Sequence, residues 1–117
     1  MPKYMLQVRS SKDAETGVPP TAERMTLMMT YNKSLVDAGI LLSGNALLAS
    51  SKGARVTFDA SGNPSVANGP FATETVISGY WIIQTNDLDE ALDWARKAPL
   101  KDGATIEVRQ IASAEDF

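Results

Sequence analysis

The chain of 117 residues contains neither cysteine nor histidine. Without cysteine it has no thiol nucleophile, no disulfide and no thiolate ligand for zinc or an iron–sulfur cluster. Without histidine it has no Ser-His triad, no imidazole metal ligand and no side chain whose ordinary pKa lies near neutral pH. These absences exclude many common kinds of enzyme site, and the sequence implies no metal and no cofactor.

The sequence also lacks clustered positive charge and long apolar runs. It carries 11 Lys or Arg against 14 Asp or Glu, a net charge of −3. Nucleic-acid surfaces need clustered cations to neutralise phosphates, so direct nucleic-acid binding is not expected. No apolar run exceeds the four residues Tyr80–Ile83, whereas a membrane span needs ~18 or more. With no apolar signal segment at the N-terminus and no cysteine, we expect a cytoplasmic protein.

The spacing of apolar residues predicts a mixture of strands and helices. Alternating or continuous apolar residues predict strands at Tyr4–Arg9, Ile40–Leu48, Ala54–Asp59, Gly79–Thr85 and Thr105–Ile111. A short returning strand at Ser65–Ala67 is left open after the turn that precedes it. Helical spacing follows the N-cap residues Thr21 and Asp87, which predicts one helix after each. Ser10–Pro20 contains glycine, prolines and charges and is expected to form a loop.

The first predicted helix carries a methionine-rich stripe and is expected to end at Gly39. The apolar residues that recur at helical spacing are Met25, Met28, Met29, Leu35 and Val36. Methionine fills irregular gaps in cores, which favours a stripe that faces the core. A soft binding surface is the alternative.

The order of these elements predicts an α+β fold of the ferredoxin-like split β-α-β type, with both helices on one face of an antiparallel sheet. Ile40–Leu48 is interrupted at Ser43–Asn45, which predicts a bend or a bulge. Tyr80–Ile83 is apolar without alternation, as is typical of a strand in the middle of a sheet. Because the helices cover only one face, a second subunit packed sheet against sheet is favoured, which predicts a homodimer. Cover by Gly62–Ile77 of the same chain is the alternative.

The segment Asn68-Gly69-Pro70-Phe71 combines residues that shape and anchor a turn. Glycine and proline restrict the backbone to a defined turn, and Phe71 can anchor that turn in apolar surroundings. Asn68 and Glu74 would then be held near the edge of the sheet. By composition alone this segment is a structural hairpin.

This segment resembles the Asp-Gly-Pro-Phe signature of the YCII-related family, also called DGPF-domain proteins. Further pieces are similar to that family in the same order, at Lys3–Leu6, Ala38–Leu41, Gly44–Leu47, Asp87–Ala95 and Gly103–Ile111. The resemblance extends over nearly the whole chain and implies a single domain over residues 1–117. It also implies a ferredoxin-like dimeric α/β barrel, with a pocket between sheet and helix or at the subunit junction.

The chain departs from the family pattern at positions that carry charge. Asn68 stands where the signature has Asp, and Asn45 stands where an acidic residue is usual. The stretch after Phe71 is about one residue shorter than usual, around Glu74. Some relatives are proposed to use a His-Asp pair, for which this chain has no histidine. Amides in place of carboxylates weaken general acid–base catalysis and binding of hard cations.

These observations favour a small-molecule binding or regulatory module. The expected ligand-binding residues are Asn45, Asn68, Phe71, Glu74 and Tyr80. Asn45 and Asn68 would orient a polar group of the ligand, Phe71 would contact its apolar part, and Tyr80 would lie nearby. The alternative is an enzyme that uses Glu74 as acid or base, with Tyr80 or Tyr31 assisting. A third hypothesis follows from the family, whose members are often encoded beside sigma factors: an accessory protein to a sigma-factor-type transcription regulator.

Overall fold

The computed structural model describes residues 1–9 and 11–117 and has a mixed α+β architecture. The strands are β1 (Lys3–Arg9), β2 (Leu41–Ala46), β3 (Ala54–Phe58), β4 (Pro64–Asn68), β5 (Ile77–Gln84) and β6 (Thr105–Gln110). The helices are α1 (Lys12–Glu15), α2 (Ala22–Asp37) and α3 (Leu88–Arg96). Short 3₁₀ turns lie at Ser50–Lys52, Thr73–Thr75 and Ala114–Asp116.

Four strands form one antiparallel sheet in the order β2-β5-β1-β6. β5 lies between β2 and β1, which confirms the interior position predicted from its apolar residues. The register between β2 and β5 shifts between Leu41 and Ser43, which confirms an irregularity at this point of the strand. The sheet formed by the described residues is open and does not close into a barrel.

One face of this sheet packs against α2 and α3 and forms the core. Leu6, Leu35 and Ile83 are fully buried there. The Tyr31 hydroxyl on α2 donates a hydrogen bond of 2.9 Å to the carbonyl oxygen of Trp94 on α3. Because this bond joins the two helices above the same sheet face, it fixes their relative position.

The ends of the helices follow the capping residues in the sequence. The Thr21 side chain accepts a hydrogen bond from the backbone N–H of Arg24, and Gly39 has a φ of 73° just after α2 ends. The Asp87 carboxylate accepts from the N–H of Glu90, as predicted. Within residues 1–9 and 11–117, no helix has both the length and the apolar character needed to cross a membrane.

The prediction that the methionine stripe of α2 faces the core is wrong for three of its residues. Met25, Met29 and Val36 are 52%, 67% and 59% exposed. α2 contacts the core through the buried Tyr31 and Leu35 and the partly buried Met28, so a narrow strip of the helix is covered. The exposed residues lie beside that strip, where residues 1–9 and 11–117 supply no layer to pack on them.

The expected loop from Ser10 to Pro20 is also partly wrong. Lys12–Glu15 forms one helical turn, capped by the side chain of Ser11. Residue 10 lies outside the described residues, and the remainder of the segment is irregular as expected. This turn places Glu15 where it contacts a distant part of the chain.

β3 and β4 form a separate hairpin, which confirms the returning strand that the sequence left open. All ten strand residues are exposed. Val56 lies directly opposite Val66, so both side chains are on one face of the hairpin. The radius of gyration is 16.0 Å, against the ~13 Å expected of a compact chain of this length. The hairpin therefore projects from the main sheet.

Candidate functional site

An open cleft of about 460 Å³ lies at the base of the β3–β4 hairpin. We call it the base cleft. Three segments line it: the connection after β2, the start of β3 and the connection that leads into β5. Its lining includes the apolar side chains Leu47, Leu48 and Phe71 and the cations Lys52 and Arg55. No Asp or Glu is among the described residues that line it.

Ser50 joins three distant segments beside this cleft. Its hydroxyl donates a hydrogen bond of 2.6 Å to Glu15, and its backbone N–H donates one of 2.9 Å to the other oxygen of the same carboxylate. The hydroxyl also accepts a bond of 3.0 Å from the N–H of Phe71. Ser50 thereby holds the Phe71 turn against α1, and its hydroxyl hydrogen is occupied rather than free to react.

The glycine of the Asn-Gly-Pro-Phe segment is required by a close approach of two backbones. A Cβ at Gly69 would overlap the carbonyl oxygen of Ser50. The Gly69 N–H also donates a hydrogen bond of 3.0 Å to the carbonyl of Gly53, and the Gly69–Pro70 peptide is cis. The segment is therefore a packed turn that sets one wall of the cleft.

Arg55 and Phe71 form a stacked pair at the cleft. The Arg55 guanidinium carbon lies 3.9 Å from the centroid of the Phe71 ring, within the range of a cation–π interaction. Nη2 of Arg55 donates to the carbonyl oxygen of Thr75 at 2.9 Å and to its hydroxyl at 3.1 Å. These contacts orient the guanidinium although the residue is exposed.

The residues predicted to form a site are distributed over different parts of the structure. Phe71 lines the base cleft. Asn68 is exposed at the end of β4, opposite Ala54 in the hairpin register. Glu74 is exposed in the turn that follows Phe71 and is not part of the cleft lining.

Asn45 and Tyr80 meet on the sheet face opposite the helices. The Asn45 side-chain amide donates a hydrogen bond of 3.0 Å to the Tyr80 hydroxyl. Residues directly opposed in the register share this face, and they include Met5 opposite Ile82 and Gln7 opposite Tyr80. We call this surface the open sheet face, and its centre is the half-exposed, largely apolar group formed by Met5, Tyr80 and Ile82.

Charged residues border the open sheet face on the β6 side. Arg9 forms an ion pair of 2.8 Å with Glu107, whose other oxygen lies 3.3 Å from Arg109. All three side chains are partly or largely exposed. An apolar centre with a charged border is the usual composition of a protein–protein interface.

A second cleft, of about 300 Å³, lies between α3 and β6. Its lining is mostly aliphatic, including Leu92, Leu100 and Ile106, with Arg96 as its charged residue. None of the candidate site residues predicted from the sequence lines this second cleft. In the described ranges, no group of three or more Asp or Glu is placed to hold a metal ion.

The sequence reasoning missed three residues that line the base cleft, Ser50, Lys52 and Arg55. It also missed Glu15, which lies outside the lining and bonds to Ser50. Glu15 contacts Ser50 across 35 residues, a pairing that no local motif signals. Lys52 and Arg55 lie three residues apart, at the end of a 3₁₀ turn and the start of β3. That spacing, beside a turn that carries Phe71, was the only signal available.

The comparison with protein-family models confirms the family resemblance noted in the sequence. A search of curated proteins finds none that matches this chain. The family model of the YCII-related domain matches residues 4–115, nearly the whole chain. The chain therefore belongs to the YCII-related domain family.

Proposed function

We propose that the protein is a homodimeric small-molecule-binding module, one domain over residues 1–117, with its ligand site in the base cleft. The lining of that cleft carries the proposal, because apolar side chains and two cations line an open cleft of about 460 Å³. Small-molecule sites have volumes of ~300–1,000 Å³ and combine apolar walls with a few polar groups. The Ser50 contacts hold Phe71 in place before any ligand arrives, which reduces the entropy lost on binding.

The other predicted ligand residues divide between two places. Asn68 directly precedes Gly69 at the hairpin end, and its contact with a polar group of the ligand stays a prediction. Asn45 and Tyr80 form their pair on the open sheet face, so a ligand role for them belongs to the subunit junction. No cofactor is part of the proposal.

The dimer is supported by surfaces that a single chain leaves exposed. The open sheet face has an apolar centre and a charged border, and the hairpin exposes Val56, Phe58 and Val66. A two-fold interface buries such surfaces reciprocally, since each copy offers both. The strand order β2-β5-β1-β6, with both helices on one face, supports the ferredoxin-like arrangement.

Ligand binding is tested by screening a metabolite library of mixed charge with ligand-observed NMR and retesting each hit on variants. We expect Phe71→Ala to weaken hits by about tenfold or more, since a buried aromatic contact contributes at least ~1.4 kcal/mol. Phe117→Ala is the matched control, because Phe117 is 99% exposed and lies outside the cleft lining and outside both surfaces proposed for the dimer.

A second variant separates loss of the site from loss of the fold. Leu48 lines the cleft and is 81% exposed, so Leu48→Ser removes apolar lining with little effect on folding. Circular dichroism checks that each variant is folded. The proposal fails if no hit saturates on the unmodified protein, or if hits bind Phe71→Ala and Leu48→Ser as tightly as they bind Phe117→Ala.

The dimer is tested by light scattering coupled to size exclusion over a dilution series. We expect twice the mass of the chain for the unmodified protein and a monomer for Ile82→Lys, which places a charge in the centre of the open sheet face. Met29→Lys, on the exposed side of α2, is the control and should remain dimeric. A monomer at every concentration of the unmodified protein contradicts the dimer.

The remaining hypotheses from the sequence stay predictions. Glu74 is exposed and lies outside the cleft lining, so its position does not support the hypothesis of an enzyme that uses Glu74. Association with a sigma-factor-type regulator is tested by a pull-down from a strain that expresses one, with the hairpin variant Val66→Lys as a control for nonspecific apolar capture. A cytoplasmic location is likewise a prediction from the sequence.

A further inference from the structure

The two cations of the base cleft have no carboxylate partner among residues 1–9 and 11–117. The ion pairs in these ranges join Arg9 and Arg109 to Glu107, Lys33 to Asp37 and Arg96 to Asp93. Lys52 takes part in none of them, and the side-chain hydrogen bonds of Arg55 to other described residues go to the uncharged Thr75. Glu15, the carboxylate bonded to Ser50 nearby, already accepts two hydrogen bonds from that residue and does not line the cleft.

Arg55 is held in place while keeping donors for a further partner. Its Nη2 bonds to Thr75 and its guanidinium stacks on Phe71. Arginine has five N–H donors, so the three on Nε and Nη1 have no acceptor among the described residues. A planar guanidinium with adjacent donors matches the two oxygens of a carboxylate or a phosphate.

We infer that the base cleft selects small molecules that carry a carboxylate or phosphate on an apolar body. The anionic group pairs with Arg55 and Lys52, and the apolar part contacts Leu47, Leu48 and Phe71. This inference rests on the proposed function and specifies its ligand class. Because the whole chain has a net charge of −3, selectivity for anions comes from these two local cations and not from the overall charge.

The test compares probes of one chain length and different charge. Hexanoate, hexyl phosphate, hexanamide and hexylammonium are titrated into the isotope-labelled protein, and dissociation constants are taken from the amide shifts of cleft residues. We expect either anion to bind about tenfold more tightly than the amide, the gain typical of a charge-assisted hydrogen bond. Comparing hexanoate with hexyl phosphate decides between the two anionic groups. Added salt should weaken the anions and leave the amide unchanged.

Variants assign the selectivity to the two cations. We expect Lys52→Gln to weaken anion binding about two- to fivefold, as for an exposed charge pair, with no effect on hexanamide. Arg55→Gln should remove most of the preference for anions, and Arg55→Lys should restore part of it because charge returns without the planar fork. Lys101→Gln is the control, since Lys101 is exposed and outside the cleft lining.

The outcomes separate this inference from the proposed function. Equal affinity of acid and amide at the cleft overturns the anion selectivity and leaves the base cleft as a ligand site. Tighter binding of hexylammonium has the same consequence. If no probe and no member of the mixed-charge library saturates at the cleft, both the inference and the proposed function fail.

Discussion

Ser50 determines the local geometry of the base cleft through one hydroxyl and one N–H. The hydroxyl links Glu15 to the Phe71 turn, and the backbone carbonyl of the same residue lies against Gly69. The sequence predicted a tight turn at Gly69-Pro70-Phe71, since glycine and proline act locally on the backbone. It could not predict that Ser50 and Glu15 complete the turn, because their contact depends on tertiary folding.

At this scale we predict that Ser50→Ala destabilises the protein by about 1–3 kcal/mol. The substitution removes the partner of the Phe71 N–H and of one Glu15 carboxylate oxygen, while the backbone N–H of residue 50 still donates to the other oxygen. Urea denaturation measures the change. Ser51→Ala is the matched control: Ser51 is the exposed neighbour in the same 3₁₀ turn, and its loss should cost less than about 0.5 kcal/mol. Equal effects of the two substitutions would contradict the role given to Ser50.

Among the elements, α2 shows what hydrophobic spacing predicts and where it fails. Its position and both ends follow from Thr21 and Gly39. The sequence does not show which side of α2 is buried. Met25 and Met29 have the same helical spacing as core residues, yet they lie outside the buried strip that contains Tyr31 and Leu35. Periodicity shows that a helix has an apolar side, whereas the layers available in the fold decide how much of it is buried.

The α2–α3 contact predicts a loss of stability at alkaline pH. Burial raises the pKa of Tyr31 to about 12, above the ~10 of an unfolded tyrosine. The folded state favours the neutral phenol, so the raised pKa of Tyr31 contributes to the stability of the fold. That contribution is complete below pH ~10 and is lost as the pH rises towards 12. At neutral pH, Tyr31→Phe should lower the free energy of unfolding by about 1 kcal/mol, because the bond to Trp94 is lost. Between neutral and high pH, the variant should lose less stability than the unmodified protein does.

Urea denaturation at neutral and alkaline pH measures this difference. Tyr80→Phe is the control, since its hydroxyl lies on the half-exposed open sheet face rather than between the helices. If Tyr31→Phe and the unmodified protein lose equal stability at high pH, another group is responsible.

The tip of the β3–β4 hairpin predicts a loosening in acid. Hydrogen bonds from the backbone and side chain of Asn63, with a further backbone bond from Ser61, lower the pKa of the Asp59 carboxylate. The turn is therefore stabilised above the ordinary pKa of aspartate and loses this support as the pH falls through the lowered pKa. The amide signals of Ser61 and Asn63 should shift in acid, and Asp59→Asn should abolish the transition. Signals that titrate unchanged in Asp59→Asn would contradict this.

At the scale of the whole molecule, the sequence predicted most of the sheet and little of the site. The strands, the interior position of β5 and the family followed from alternation, apolar runs and the order of motifs. The base cleft did not, because Lys52, Arg55 and Phe71 come together only when the hairpin leaves the sheet and returns to it. The sequence indicated the β3–β4 hairpin but not its projection from the sheet, since alternation predicts a strand without saying what covers it.

The most direct test of the account is a chemical-shift map of the unmodified protein titrated with its tightest-binding library hit. We expect saturable shifts concentrated on the amides of Ser50, Gly53, Arg55 and Phe71. Shifts confined to the cleft between α3 and β6 or to the open sheet face around Tyr80, or no saturable shift at all, would contradict the assignment of the base cleft as the ligand site.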